Sequence, residues 1–200
     1  MSLQKALASL NKKYGEGTIV LASDVVAPER FTSGSLSLDM ILGGGWPANQ
    51  WHEIIGEASN GKTALALKTI AANQKRDPKF TTVWIAAEEW VTEYAEMCGV
   101  DTSRVYVFTS NVMETALSAV LEFVETQEVD CVVIDSFPAL VPSAEDEKEM
   151  DEMTVGRGAM LIGKFFRKME KAGKRSLLGG ERPFLGLIIN QFRMKIGVMY

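Results

Sequence analysis

Gly56-Glu57-Ala58-Ser59-Asn60-Gly61-Lys62-Thr63 satisfies the pattern G-x-x-x-x-G-K-[ST] in full, and no other stretch of the 200-residue chain carries as specific a chemistry. A loop bounded by glycines lets the backbone wrap closely around a phosphate, so that successive N–H groups converge on the anion. A helix that opens from such a loop adds its positive N-terminal end. Lys62 then reaches the β- and γ-phosphates, and the Thr63 hydroxyl is a ligand for Mg²⁺. The context is the required one. The apolar stretch WHEII (51–55) predicts a strand before the loop, and a helix is expected over about 61–75 after it.

A phosphate loop of this kind needs a carboxylate from another strand to hold the metal through water. Asp135, which ends the apolar run CVVID and is followed at once by Ser136, is the candidate. Hydrolysis further requires a group that orients or deprotonates the attacking water. Glu88 and Glu89 follow the run TTVWIAA, at the sheet edge where open α/β folds bind their ligands. Glu88, nearer the strand end, is the candidate base, and a solvated acidic pair opening a helix is the alternative. GGGWP (43–47) lacks the G-x-G-x-x-G spacing and reads as a loop. His52, on the strand before the phosphate loop, reads as structural. Cys98 and Cys131 fall in an expected helix and strand and read as packing residues.

The elements that must position these groups alternate. After WHEII and its helix come a strand at 81–87, a helix at roughly 90–98 and a strand RVYVFT (104–109). Met113, Ala116, Leu117, Val120, Leu121 and Val124 then mark one face of a helix over 113–125. DCVVIDS (130–136) is continuously apolar, as expected of a strand covered by helices on both faces. A long helix is expected over 156–172 and a strand over PFLGLIIN (183–190). Strands alternating with helices predict an α/β fold with a mostly parallel sheet. Before this core, Leu3, Leu7, Leu10 and Tyr14 form the stripe of a short amphipathic helix, stopped by Gly15 and Gly17. Residues 18–32 have no clear period and contain Pro28, which predicts a connector. The division expected is thus an arm over 1–30 and a core over 31–200, the arm docking on its own domain or on another subunit.

Composition narrows the classes. A hydrophobic share of 46% and a charged share of 24% are ordinary for a soluble globular chain. No apolar run is long enough to span a bilayer, and the start MSLQKALASLNKK has no apolar stretch of secretory type. Two cysteines and one histidine are too few for a four-ligand zinc site built of those residues. The net charge of −5 argues against a generic polyanion binder, but the charge is segregated. Residues 145–152 hold six acids and one lysine, and residues 164–175 six bases and one acid. A solvated face explains either run unless another feature points to DNA.

Such features exist over nearly the whole chain. Thr32-Ser33-Gly34-Ser35-Leu36-Ser37-Leu38-Asp39 resembles the S-T-G-S-L-S-L-D of the RecA family of strand-exchange recombinases. Val132-Val133-Ile134-Asp135-Ser136 is similar to that family's metal-binding strand. Ile189-Asn190-Gln191-Phe192-Arg193-Met194-Lys195-Ile196-Gly197-Val198-Met199 is close to I-N-Q-I-R-M-K-I-G-V-M, a string seldom found elsewhere. The resemblance implies a RecA-like ATPase core with an N-terminal oligomerisation arm that packs on the adjacent protomer of a filament. It implies Glu88 as the water-activating glutamate, in agreement with the choice above. It further implies Tyr94 as the residue stacked on adenine and Gln191 as the sensor of the γ-phosphate. Residues 145–156 correspond to a first DNA loop and 192–200 to the start of a second. The DNA path so implied holds Gly156, Arg157, Arg167, Arg193 and Lys195, with Ile196 as the apolar residue separating base steps.

Departures from the family pattern are the loop GEASNGKT in place of GPESSGKT and a segment one residue shorter before Tyr94. Met160 stands where an arginine is usual, with Arg157 nearby, and RSLLGGERP (175–183) reads as an insertion. The family continues beyond the position of Tyr200, so either a fragment or a shortened relative is expected. The function implied is an ATP- and Mg²⁺-dependent recombinase, cytoplasmic and without a membrane partner, which forms filaments on single-stranded DNA and pairs it with homologous duplex. A related helicase motor, or a non-catalytic nucleotide-binding accessory protein, is the alternative.

Overall fold

The computed structural model describes residues 2–143, 157–172 and 182–192. In chain order the described elements are α1 (Leu3–Tyr14), β1 (Arg30–Phe31), α2 (Leu36–Ile41), β2 (Trp46–Pro47), β3 (Gln50–Gly56), α3 (Lys62–Arg76) and β4 (Thr82–Ala86). They continue with α4 (Thr92–Met97), β5 (Val105–Phe108), α5 (Met113–Thr126), β6 (Cys131–Asp135), α6 (Arg157–Ala172) and β7 (Leu185–Gln191). The expected α/β architecture is present, and the main strands and helices fall where the hydrophobic pattern puts them, with ends differing by a few residues.

Five strands form one parallel sheet in the order β3-β7-β6-β4-β5. β4 and β6 are buried at every position, which is why both read as continuous apolar runs rather than alternating ones. Their side chains divide between two cores. Trp84, Cys131, Val133, Leu185 and Leu187 face Ala66, Leu67 and Ile70 of α3. Val83, Ile85, Val132, Ile134 and Ile188 face Leu117 and Val120 of α5 and Phe165 and Met169 of α6. Each core draws alternate residues of the same strands, the period of two that a pleated strand imposes. The phosphate-loop helix and the basic helix α6 therefore lie on opposite faces of the sheet.

Two segments read as irregular are partly ordered. β1 and β2 form a two-stranded antiparallel ribbon, with Arg30 opposite Pro47 and Phe31 opposite Trp46, so GGGWP is not wholly a loop. Gly43, Gly44 and Gly45 all have positive φ (71°, 117° and 113°) and turn the chain back towards β1. Strands two residues long have no period to read, which is why the pattern missed them. α2, also unforeseen, is held at its start by Asp39, whose carboxylate accepts from the Thr32 hydroxyl (2.5 Å) and the Ser33 amide (2.7 Å). The same Thr32–Ser33 stretch is bonded to α3: Asn73 Oδ1 accepts from Thr32 N (3.2 Å), Asn73 Nδ2 donates to Thr32 O (2.8 Å), and the Thr69 hydroxyl donates to Ser33 O (3.1 Å). The segment thereby braces the helix that leads out of the phosphate loop.

α1 buries none of its residues: Leu3 is 74% exposed and Tyr14 61%. Among the described residues no helix is long and apolar enough to cross a membrane.

Candidate nucleotide and metal site

The carboxyl ends of β3, β7, β6 and β4 lie along one edge of the sheet. Gly56 is in register with Gln191, and Ala86 with Asp135. From β3 the chain passes through the loop 57–61 into α3, with Ser59 (φ 60°) and Gly61 (φ 77°) both left-handed. Such left-handed turns orient backbone N–H groups inwards and make an anion-binding concavity, with the α3 N-terminus behind it. Lys62 is largely buried, and its Nζ donates to the loop's own carbonyls, Gly56 O at 3.1 Å and Glu57 O at 2.6 Å. The ammonium is thus already held at the mouth of the loop.

The Thr63 hydroxyl donates to Asp135 Oδ2 at 2.9 Å. Burial pushes the Asp135 carboxyl up to about 6; the Thr63 hydrogen bond and the Lys62 charge oppose this, and the Glu88 charge adds to it. On the far side of Asp135, its carbonyl accepts from Ala87 N (2.9 Å) and Glu88 N (3.1 Å), and the Ser136 hydroxyl donates to Glu88 Oε1. The Asp135–Ser136 peptide bond is cis. Hydrogen bonds thus link Thr63 to Asp135 and Glu88 to the adjoining Asp135–Ser136 dipeptide beside the loop.

This donor set fits Mg²⁺ in particular. Among the described residues no three His, Cys, Asp or Glu side chains gather into a metal cage. Mg²⁺ keeps several waters and is bound by one or two protein oxygens plus the phosphates of its ligand, which a Thr63 hydroxyl and an Asp135 carboxylate can provide.

A family model described as the RecA N-terminal domain matches residues 1–200. The chain belongs to the RecA family. Among curated proteins similar to it, Protein RecA of Aquifex pyrophilus is 39% identical over 203 residues, covering 100% of this chain and 56% of that protein. Protein RecA of a Synechocystis species is 38% identical over 202 residues (100% and 55%), and that of Delftia acidovorans 38% over 204 (100% and 53%). The chain spans about half the length of the curated relatives it matches.

The fold of this RecA-family chain brings together Lys62, Thr63, Asp135 and Glu88, with Gln191 at the end of the neighbouring strand. Gln191 N donates to Asn190 Oδ1 (2.8 Å), and Asn190 Nδ2 donates to Glu53 Oε1 (2.6 Å), a link the sequence reading did not include. Tyr94 stands exposed on α4. Arg167 is exposed on α6, on the other face of the sheet from α3, and Arg157 is the first residue of that helix. Gly156, Arg193, Lys195 and Ile196 lie outside the described residues. His52 has the structural role expected: its Nε2 is bonded to Pro47 O (2.8 Å), its ring packs against Trp46, and burial lowers its pKa against that hydrogen bond. Cys131 is fully buried, which pushes its thiol up and keeps it inert; Cys98 falls just after α4 rather than within it. Ser136 is the functional candidate that sequence reasoning named without a role. Its position next to Asp135 was visible, but not its reach to Glu88.

Proposed function

We propose that this RecA-family chain carries the ATP site of a DNA-dependent ATPase acting in homologous recombination and repair. The observation that supports it best is the hydrogen bonding of Thr63 and Glu88 to the two sides of the Asp135–Ser136 dipeptide beside a complete phosphate loop. Residues 56–63 cradle the triphosphate with backbone N–H groups, and Lys62 turns from the loop carbonyls to the β- and γ-phosphates. Thr63 and, through water, Asp135 would hold Mg²⁺, which when bound would neutralise phosphate charge. Glu88 takes the proton of the attacking water as its oxygen bonds to the γ-phosphorus. The bond to the β,γ-bridging oxygen breaks, and ADP and phosphate leave. Tyr94 stacks on adenine. Gln191, at the edge shared with Gly56, reports the γ-phosphate to the residues that follow it.

The same reading gives the protein a filament on single-stranded DNA that pairs with homologous duplex, ATP turnover switching it between tight and weak binding. Residues 1–30 serve as the arm between protomers, which the exposed Leu3, Leu10 and Tyr14 support. The DNA path runs by Gly156, Arg157, Arg167, Arg193, Lys195 and Ile196. A cytoplasmic location goes with this function.

ATP turnover with and without single-stranded DNA tests the proposal. Stimulated turnover is expected, abolished in a folded Lys62→Ala protein and slowed at least about 10²-fold in Glu88→Gln with ATP binding kept. Glu89→Gln is the control, and slow turnover there alone would move the base by one residue. Rings instead of filaments would favour a helicase motor, and nucleotide binding with negligible turnover an accessory protein.

A further inference from the structure

We infer that Ser136 is a positioning residue for the general base: its hydroxyl holds one carboxylate oxygen of Glu88 and leaves the other to the attacking water. The inference rests on the reading of Glu88 as that base. Glu88 is exposed in the segment after β4, and a glutamate side chain has three torsions to fix. Ser136, by contrast, is 1% exposed. It is followed by a short 3-10 turn, Phe137–Ala139, closed by Ala139 N to Ser136 O (3.1 Å), and both Phe137 and Leu140 are buried. The hydroxyl is therefore mounted on a buried support, and the exposed partner is the glutamate.

The main chain reinforces the grip. Ala87 N and Glu88 N both donate to Asp135 O, so the 135–136 dipeptide holds Glu88 by backbone and side chain at once. The same dipeptide presents the Asp135 carboxylate to Thr63 on its other side. One turn thus sets the spacing between the metal ligands and the base. Because displacement of a reacting group by about 1 Å can cost on the order of 10²-fold in rate, loss of the tether should appear in turnover rather than in binding.

The test is DNA-stimulated ATP turnover by the full chain, combined with a double-mutant cycle. Ser136→Ala is expected to lower kcat by about 10- to 100-fold, with KM and Mg·ATP affinity within about twofold of wild type. Ser136→Thr, which keeps the hydroxyl, should restore most of the rate. Ser136→Cys, isosteric with a weaker donor, should fall between and serves should the alanine variant not fold. In a Glu88→Gln background Ser136→Ala should add less than about twofold, since groups that act as one unit are not additive. The inference is overturned if Ser136→Ala, or Ser136→Cys in its place, turns over like wild type. It is overturned equally if the same factor is lost in both backgrounds, or if Mg·ATP affinity falls with kcat. A wild-type rate for Glu88→Gln would instead remove the base assignment and, with it, any role of Ser136 through that residue.

Discussion

Burial pushes the Asp135 carboxyl up to about 6, so the ionised form that a metal requires is disfavoured by the fold before any metal arrives. The sign follows from linkage. A carboxyl whose folded pKa lies above its unfolded value near 3.9 contributes stability below that value, and the contribution is lost as pH rises through about 6. Metal-free protein should therefore lose up to about 2 kcal/mol from this group between pH 4 and pH 7. Asp135→Asn should be level with wild type near pH 4 and more stable than it near pH 7. Urea unfolding in chelator at several pH values measures the difference; a gap that does not grow with pH would contradict the environment described for Asp135. In wild type the Mg²⁺-dependent part of nucleotide affinity should rise with pH to about 6 and then level, and in Asp135→Asn it should be weaker and lack that rise.

At the scale of elements, two side-chain contacts supplement the ladders that pair β7 with β3 and β6. Gly186 lies opposite Trp51 on β3, whose indole crosses directly over it: a Cβ on residue 186 would sit 2.4 Å from Trp51 Cδ2 and Cε3. Gly186→Ala is expected to cost about 1–3 kcal/mol by overpacking. Trp51→Val in the same chain should recover part of that loss, a recovery that urea unfolding would detect. Just before β7, Arg182 makes a bidentate pair with the buried Asp130 (2.6 and 2.8 Å), which also accepts from Thr81 N (2.7 Å) at the start of β4. Arg182→Ala should cost about 1–3 kcal/mol, because the carboxylate stays buried while the arginine was partly exposed. Arg182→Ala with Asp130→Asn should cost less than Arg182→Ala alone, and equal losses would show that the pair contributes nothing beyond its packing.

On the scale of the whole molecule, the sheet separates two chemistries. The phosphate loop opens into α3 on one face, and the basic helix α6 covers the other, so under the proposed function a signal from nucleotide to DNA would pass around or through the carboxyl edge where Asp135 and Gln191 end their strands. Lys164, Arg167 and Lys168 on α6 are all exposed, and six bases within 164–175 outweigh one acid in a chain whose net charge is −5. If Arg167 contacts a phosphate, its replacement by alanine should flatten the log–log salt dependence of single-stranded DNA affinity by roughly 0.7. Ile196→Ala should weaken binding without altering that slope, since stacking or wedging releases no counterion. A salt titration with a labelled oligonucleotide and a non-hydrolysable ATP analogue reads both. Equal slopes for Arg167→Ala and wild type would take this residue off the DNA path.

The amino-acid sequence by itself determined the phosphate loop, the order of strands and helices along the chain, and the apolar face of α5. These are local properties: a motif of eight contiguous residues, and periods of 2 and 3.6 that follow from backbone geometry. It did not determine the ribbon of β1 and β2, too short for a period, or α2, whose Asp39 accepts from Thr32 and Ser33 ahead of the helix. Nor could it determine which side chains meet. Thr63 and Asp135 are 72 residues apart and Ser136 and Glu88 48 apart, and each pair touches only because β4 lies beside β6 and β3 is reached across β7. Strand order is settled by how two helical layers bury both faces of the sheet at once, a cooperative packing requirement that no single window of sequence contains.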